Sequence, residues 1–166
     1  MKFHIRELII WPDNPAHDPR IIEFDTQKVN VITGWSSTGK SAITSIIDYV
    51  LGAGKCAIPV GVIRDKAAWY GLTLDTAIGP VRVARRRPDG RQASDQYWLQ
   101  QGDDTESGVG NPHANATTER VKQLFDDLSG LSNLSLEPES KSFGGRASFR
   151  DMVEWTPFDR TGDGWV

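Results

Sequence analysis

Eight consecutive residues, Gly34, Trp35, Ser36, Ser37, Thr38, Gly39, Lys40 and Ser41, fit the pattern G-x-x-x-x-G-K-[ST] of a phosphate-binding loop. The chemistry follows from the residue types. The phosphates of a nucleotide carry several negative charges, and a loop that wraps them must offer backbone N–H groups without side chains in the way. Gly34 and Gly39 allow the tight turn and the close approach. A helix starting near Gly39 aims its unpaired N–H groups and positive end at the anion. Lys40 supplies a point charge for the β- and γ-phosphates, and Ser41 a hydroxyl for Mg²⁺. Ser36, Ser37 and Thr38 line the loop mainly through backbone donors. Trp35 is unusual at a loop tip; it either touches the nucleotide or a partner chain, or is simply exposed or packed locally.

Hydrolysis needs more than this loop. A Walker B acid should follow an apolar strand, and a further group should place the water. Asp75, after Gly71-Leu72-Thr73-Leu74, is the best imitation, but Thr73 interrupts the apolar run and the segment reads as a hairpin strand. Asp25 follows Ile21-Ile22-Glu23-Phe24 and reads as a turn. The sequence thus predicts a nucleotide-binding loop without an evident hydrolytic acid.

The elements that must position the loop are legible from periodicity. Residues 3–11 read as a strand, residues 12–19 as a loop rich in proline, and residues 20–24 as a second short strand. Residues 28–33, with Val29, Val31 and Ile32, read as a third, β-branched strand suited to a buried sheet position. After the loop, Ile43, Ile46, Ile47, Val50 and Leu51 share one helical face, and Gly52 and Gly54 supply the stop. Residues 28–52 are therefore strand, glycine loop, helix.

A β-rich stretch follows. Residues 69–75, 81–87 and 94–100 alternate as strands, with turns at Gly79-Pro80 and Pro88-Asp89-Gly90, which predicts a meander of hairpins. Residues 102–116 read as a polar, glycine-rich loop. Residues 117–128 read as a helix, with Val121, Leu124, Phe125 and Leu128 on one face and Thr117 or Thr118 as its cap. Residues 131–166 have weak periodicity, and residues 161–166 look like a loose tail.

Composition bounds the function. The chain has 166 residues, about one domain's worth, with 38% hydrophobic and 25% charged residues, so it can build a core. A net charge of −3 excludes a strongly basic nucleic-acid binder, and any DNA contact must come from a local patch. Arg82, Arg85, Arg86, Arg87 and Arg91 form the one basic run, read either as a DNA-facing patch or, preferably, as a solvated hairpin. Arg6 and Arg20 could approach phosphate from neighbouring strands. The single cysteine, Cys56, excludes an internal disulfide, and His4, His17 and His113 lack metal-ligand spacing. No apolar run spans a bilayer and the N-terminal stretch lacks the features of a signal peptide, so a cytoplasmic protein is expected.

The segment KVNVITGWSSTGKSAITSIIDYVLG resembles the opening of the SMC-like ATPases of the ABC class, most of all the Rad-fifty/SbcC type. Asn30, residues 34–41 and Asp48 sit on the positions of that family's pattern. Ile63-Arg64-Asp65-Lys66-Ala67-Ala68-Trp69 is similar to its link into an antiparallel meander, and Val81-Arg82-Val83-Ala84-Arg85-Arg86 to a basic meander strand. The resemblance implies an α/β P-loop NTPase fold, specifically the N-terminal lobe of an ABC/SMC-type head over residues 1–153, with residues 154–166 an irregular tail. It implies ATP and Mg²⁺ as ligands, a partner in the form of a second head or a complementary C-terminal half, and a setting in DNA double-strand-break repair or related DNA maintenance or defence. The chain departs from the family where a Q-loop glutamine should follow Ala147-Ser148-Phe149-Arg150-Asp151-Met152, since no glutamine occurs after Gln123. The lobe looks cut off near that point, and the strand at residues 28–33 would then leave an apolar edge open. Two other readings remain: a small stand-alone P-loop kinase, whose arginine-bearing lid would be residues 85–87, and a nucleotide-binding module without turnover.

Overall fold

The computed structural model describes residues 3–35, 39–90, 92–105 and 108–129. The tail, the Q-loop region, the boundary near residue 153, and Ser36, Ser37, Thr38 and Arg91 lie outside the described residues.

The described fold is mixed α/β. Six antiparallel strands form one sheet in the order β2-β1-β3-β4-β5-β6. The strands are β1 (His4–Pro12), β2 (Arg20–Glu23), β3 (Ala67–Thr76), β4 (Gly79–Arg86), β5 (Gln96–Gln101) and β6 (Ala116–Thr117). The helices are α1 (Lys40–Val50), the one-turn α2 (Val62–Lys66) and α3 (Thr118–Ser129). The predicted meander is present as β3, β4 and β5, and α1 and α3 form where the helical periodicity put them. The link over residues 63–66 winds into α2 before β3 begins.

Strand alternation divides the sheet into two faces. On one face, Leu8, Leu72, Val83 and Leu99 lie in register on adjacent strands. They pack with Ile46, Ile47, Tyr49 and Val50 of α1 and Val121 and Phe125 of α3 in the main core. Thr117 caps α3 through its hydroxyl, which accepts from the Arg120 N–H at 3.5 Å, and Asp95 accepts from the Thr118 N–H at 3.1 Å.

The opposite face carries Ile9, Gly71, Ala84 and Trp98 in one row, and Glu7, Thr73, Arg82 and Gln100 in the next. Trp11 lies across Gly71, where a Cβ would come 2.6 Å from the indole. Thr105 and residues 108–110, after β5, form a strap over this face. The Trp11 indole N–H donates to the Gly110 carbonyl at 2.8 Å, and Arg82 donates to the carbonyls of Gly108 and Thr105, both at 2.7 Å. The polar segment expected to be a plain loop thus encloses a second apolar cluster of Ile9, Trp11, Ala84 and Trp98.

Two expectations are corrected. Residues 29–33 form no strand: the chain passes through them without sheet partners, and Val29 and Val31 are 90% and 78% exposed. Their β-branched composition favours extended backbone, but a strand also needs a neighbour to take its N–H and C=O groups, and no described strand lies beside them. The basic run is not wholly a solvated hairpin: Arg86 is exposed and Arg87 half-buried, but two of its members lie inside. Arg82 and Arg85 are each 2% exposed, one under the strap and one under the helices.

Candidate nucleotide site

The described part of the glycine loop converges on the start of α1. Gly39 takes φ 87°, a left-handed conformation that L side chains rarely adopt. A Cβ there would also stand 3.0 Å from Ile63 Cδ1. The turn is sealed by the Ala42 N–H donating to the Gly39 carbonyl at 3.0 Å. Lys40 folds its ammonium back over the loop, donating to the carbonyls of Gly34 at 2.8 Å and Trp35 at 2.6 Å. A cation therefore stands beside the N-terminal end of α1, whose first turn holds no acidic residue to compete with an incoming anion. Ser41 is exposed one residue further on, and Trp35 is 88% exposed.

Two residues outside the loop, Asn30 and Asp48, match the resemblance. Asn30 closes the turn before the loop: its side-chain oxygen accepts from the Asp25 N–H at 2.8 Å and its amide donates to the Asp25 carbonyl at 2.8 Å. Asp48 is half-buried on α1. Asp25 is a turn residue, accepting from the Gln27 N–H at 2.9 Å.

The far end of α1 is fastened to the sheet by a group that sequence reasoning assigned elsewhere. Arg85 donates through Nη1 to the carbonyls of Tyr49 at 2.8 Å and Ala53 at 2.7 Å, and through Nε to the Ser94 carbonyl at 2.7 Å. Its guanidinium lies against the rings of Tyr49 and Tyr97, at 4.5 and 4.9 Å from their centroids. The Tyr49 hydroxyl donates to the Arg86 carbonyl at 2.8 Å and accepts from the Ser94 N–H at 3.0 Å. A buried cation thus satisfies carbonyls at the negative end of the helix whose positive end meets the glycine loop. Burial raises the Tyr49 hydroxyl's pKa, against the hydrogen bond from Ser94 and the charge of Arg85.

The remaining charged candidates lie elsewhere in the fold. Asp75 is ion-paired with Arg6 at 3.5 Å, which accounts for both. Arg20 is exposed on edge strand β2. Arg82 donates to the Thr73 hydroxyl at 3.1 Å and lies 3.5 Å from the Glu7 carboxylate; burial lowers its pKa and Glu7 opposes that. Among the described residues, no group of three His, Cys, Asp or Glu side chains could hold a metal ion, and no helix is long and apolar enough to cross a membrane.

Comparison of the chain with models of protein families, with curated proteins and with solved structures found no match.

Proposed function

We infer that the chain is the ATP-binding lobe of a P-loop ATPase similar to the SMC-like, Rad-fifty/SbcC type. The observation that carries this reading is the Lys40 ammonium folded onto the Gly34 and Trp35 carbonyls at the positive end of α1. The polyphosphate of ATP would meet Lys40 and the N–H groups of the loop and first turn. Ser41, the phosphates and water would hold Mg²⁺. Residues 34–41 would do all of the binding.

Turnover would come from an assembly rather than from this lobe by itself. Asp75, the best Walker B imitation, is already paired with Arg6. Complementary strands from a C-terminal half would cover Val29 and Val31, and a second head would close over the nucleotide. Coupling to DNA repair, maintenance or defence follows from the resemblance. The kinase reading has less support, because the strands after α1 are antiparallel hairpins rather than βα repeats, and Arg85, central to its lid, is buried.

Titration calorimetry with Mg·ATP tests the reading. Wild type should bind saturably, and Lys40→Ala should lose at least about tenfold in affinity, the scale of one charge-assisted contact. Equal binding by the two proteins, or none by folded wild type, removes the assignment.

A further inference from the structure

A second polar cavity lies away from the glycine loop, where residues 87–95 join β4 to β5. Its volume is about 390 Å³, and Arg86, Arg87, Asp89, Gln92, Ser94 and Gln96 line it. That volume falls at the small end of the roughly 300–1,000 Å³ typical of ligand pockets.

The cavity wall is held from several sides. The Arg87 N–H donates to the Ala68 carbonyl at 2.8 Å, and the Gln92 N–H to the Asp89 carbonyl at 3.1 Å. Lys55 bridges to Gln92, and the Ser94 N–H is taken by the Tyr49 hydroxyl. Arg87, Asp89, Gln92 and Ser94, tied in this way, are organised before any ligand arrives, which lowers the ordering cost of binding.

One lining cation has a neutral partner in place of a carboxylate. Arg85, Arg86 and Arg87 are consecutive, and among the described residues only Arg87 has a carboxylate partner, Asp13 at 3.4 Å. Arg86 is exposed and is oriented by a neutral group, donating to the Gln96 side-chain oxygen at 2.7 Å. Arg85 adds a buried cation behind the wall, through its bond to the Ser94 carbonyl, with the Asp95 carboxylate within its electrostatic reach. Asp89 is the carboxylate of the lining and Asp13 holds Arg87, so Arg86 is the lining guanidinium without a carboxylate partner among the described residues. A guanidinium fixed in orientation and short of anions suits an oxyanion. The amide and hydroxyl groups of Gln92, Gln96 and Ser94 suit the hydroxylated body of a small ligand.

We propose that this cavity is a second ligand site, separate from the glycine loop, that takes a small phosphomonoester of sugar-phosphate size. Arg86 and Arg87 meet the dianionic phosphate, and the side chains of Gln92, Ser94 and Gln96 meet the hydroxyl groups. The assignment does not depend on nucleotide binding at Lys40.

The test uses the full chain carrying Lys40→Ala, so that phosphate held by the glycine loop does not contribute. Amide and arginine side-chain NMR signals are followed during titration with ribose 5-phosphate, ribose, inorganic phosphate and dimethyl phosphate. Ribose 5-phosphate should give saturable shifts centred on residues 86–96, and ribose none. Inorganic phosphate and the diester should bind more weakly than ribose 5-phosphate. Arg86→Gln, at an exposed position, should weaken binding by about tenfold while leaving the rest of the spectrum in place. Absence of saturable shifts at these residues overturns the proposal. So does equal binding of ribose, of inorganic phosphate or of the diester, or unchanged affinity in both Arg86→Gln and Arg87→Gln.

Discussion

The guanidinium of Arg85 packs 4.5 Å from the centroid of the Tyr49 ring while donating to the Tyr49 backbone carbonyl at 2.8 Å. One side chain therefore meets both the aromatic body and the backbone of the same helical residue. The contact joins β4 to the last turn of α1, and α1 begins at Lys40. Helix orientation, and with it the placing of Lys40 at the start of α1, rests partly on this attachment.

Replacing Arg85 should therefore destabilise the fold rather than alter a surface. Arg85→Met keeps much of the apolar volume but takes the guanidinium from the carbonyls of Ala53 and Ser94, and leaves that of Tyr49 with the Gly52 N–H at 3.2 Å. Leaving such buried acceptors unsatisfied is expected to cost about 2–4 kcal/mol in total. Arg85→Lys should recover only part of the loss, because an ammonium lacks the planar fork that reaches three carbonyls between two rings. Urea unfolding followed by circular dichroism measures both. A change within experimental error in Arg85→Met would show the attachment to be dispensable.

Gly71→Ala should disturb the strapped face selectively. The new methyl would stand 2.6 Å from the Trp11 ring and 3.0 Å from Ala84 Cβ, so the indole must shift. Overpacking of this kind costs about 1–3 kcal/mol. Moving the ring should also weaken its N–H bond to the Gly110 carbonyl and admit water around Trp11 and Trp98. A red-shifted tryptophan emission with unchanged far-ultraviolet circular dichroism is the expected outcome. Unchanged emission and stability would mean that the strap accommodates the methyl.

The sequence carried those parts of the fold whose signal is local. The alternation in residues 69–75 and 81–87 and the helical spacing of Ile43, Ile46, Ile47 and Val50 each reappear as packed elements. The same alternation contained a clue about the basic run. Arg85 shares its parity with Val81 and Val83, the core-facing residues of β4, and so had to enter the core or break the strand. Its charge argued for the surface; three carbonyls and two aromatic rings outweigh that preference. Residues 29–33 failed for the opposite reason. Their composition specifies an extended, buried strand, but burial and pairing depend on a neighbour that no local pattern supplies. Asp75 could be doubted as a hydrolytic acid from the hairpin pattern, yet its pairing with Arg6 across β1 and β3 is a long-range fact. The glycine spacing called for a tight turn ahead of a helix, and Gly39 takes a left-handed conformation where α1 begins.

Alkaline pH should weaken the fold through buried tyrosines. Burial raises the pKa of Tyr70, and of Tyr49, above the ordinary tyrosine value, so the native state keeps these protons while the unfolded chain releases them. The unfolded state then binds fewer protons, and stability falls as pH rises. The contribution is complete below the ordinary tyrosine pKa of about 10 and is lost progressively above it, up to the raised native values. Urea midpoints should decline above about pH 9–10, and Tyr70→Phe should flatten the decline. A slope identical in wild type and Tyr70→Phe would exclude Tyr70 as a source.

The exposed valines before the glycine loop make the most direct statement about partners. Val29 and Val31 are separated by one residue, as strand neighbours on one face are, and both stand in solvent; Ile32 is 44% exposed on the alternate side. An apolar, β-branched segment with unpaired backbone is a template for strand addition by another chain or another copy. If these valines stay uncovered, the purified chain should self-associate as its concentration rises. Sedimentation velocity should show a growing weight-average mass, and a Val29→Lys/Val31→Lys double variant should stay monomeric with unchanged circular dichroism, because charge on an edge opposes pairing. Supplying a complementary chain should suppress self-association and raise the melting temperature through mass action. A wild-type chain that stays monomeric at all concentrations and melts in one cooperative step, with no partner added, would mean that these valines tolerate water and that nothing is needed to cover them.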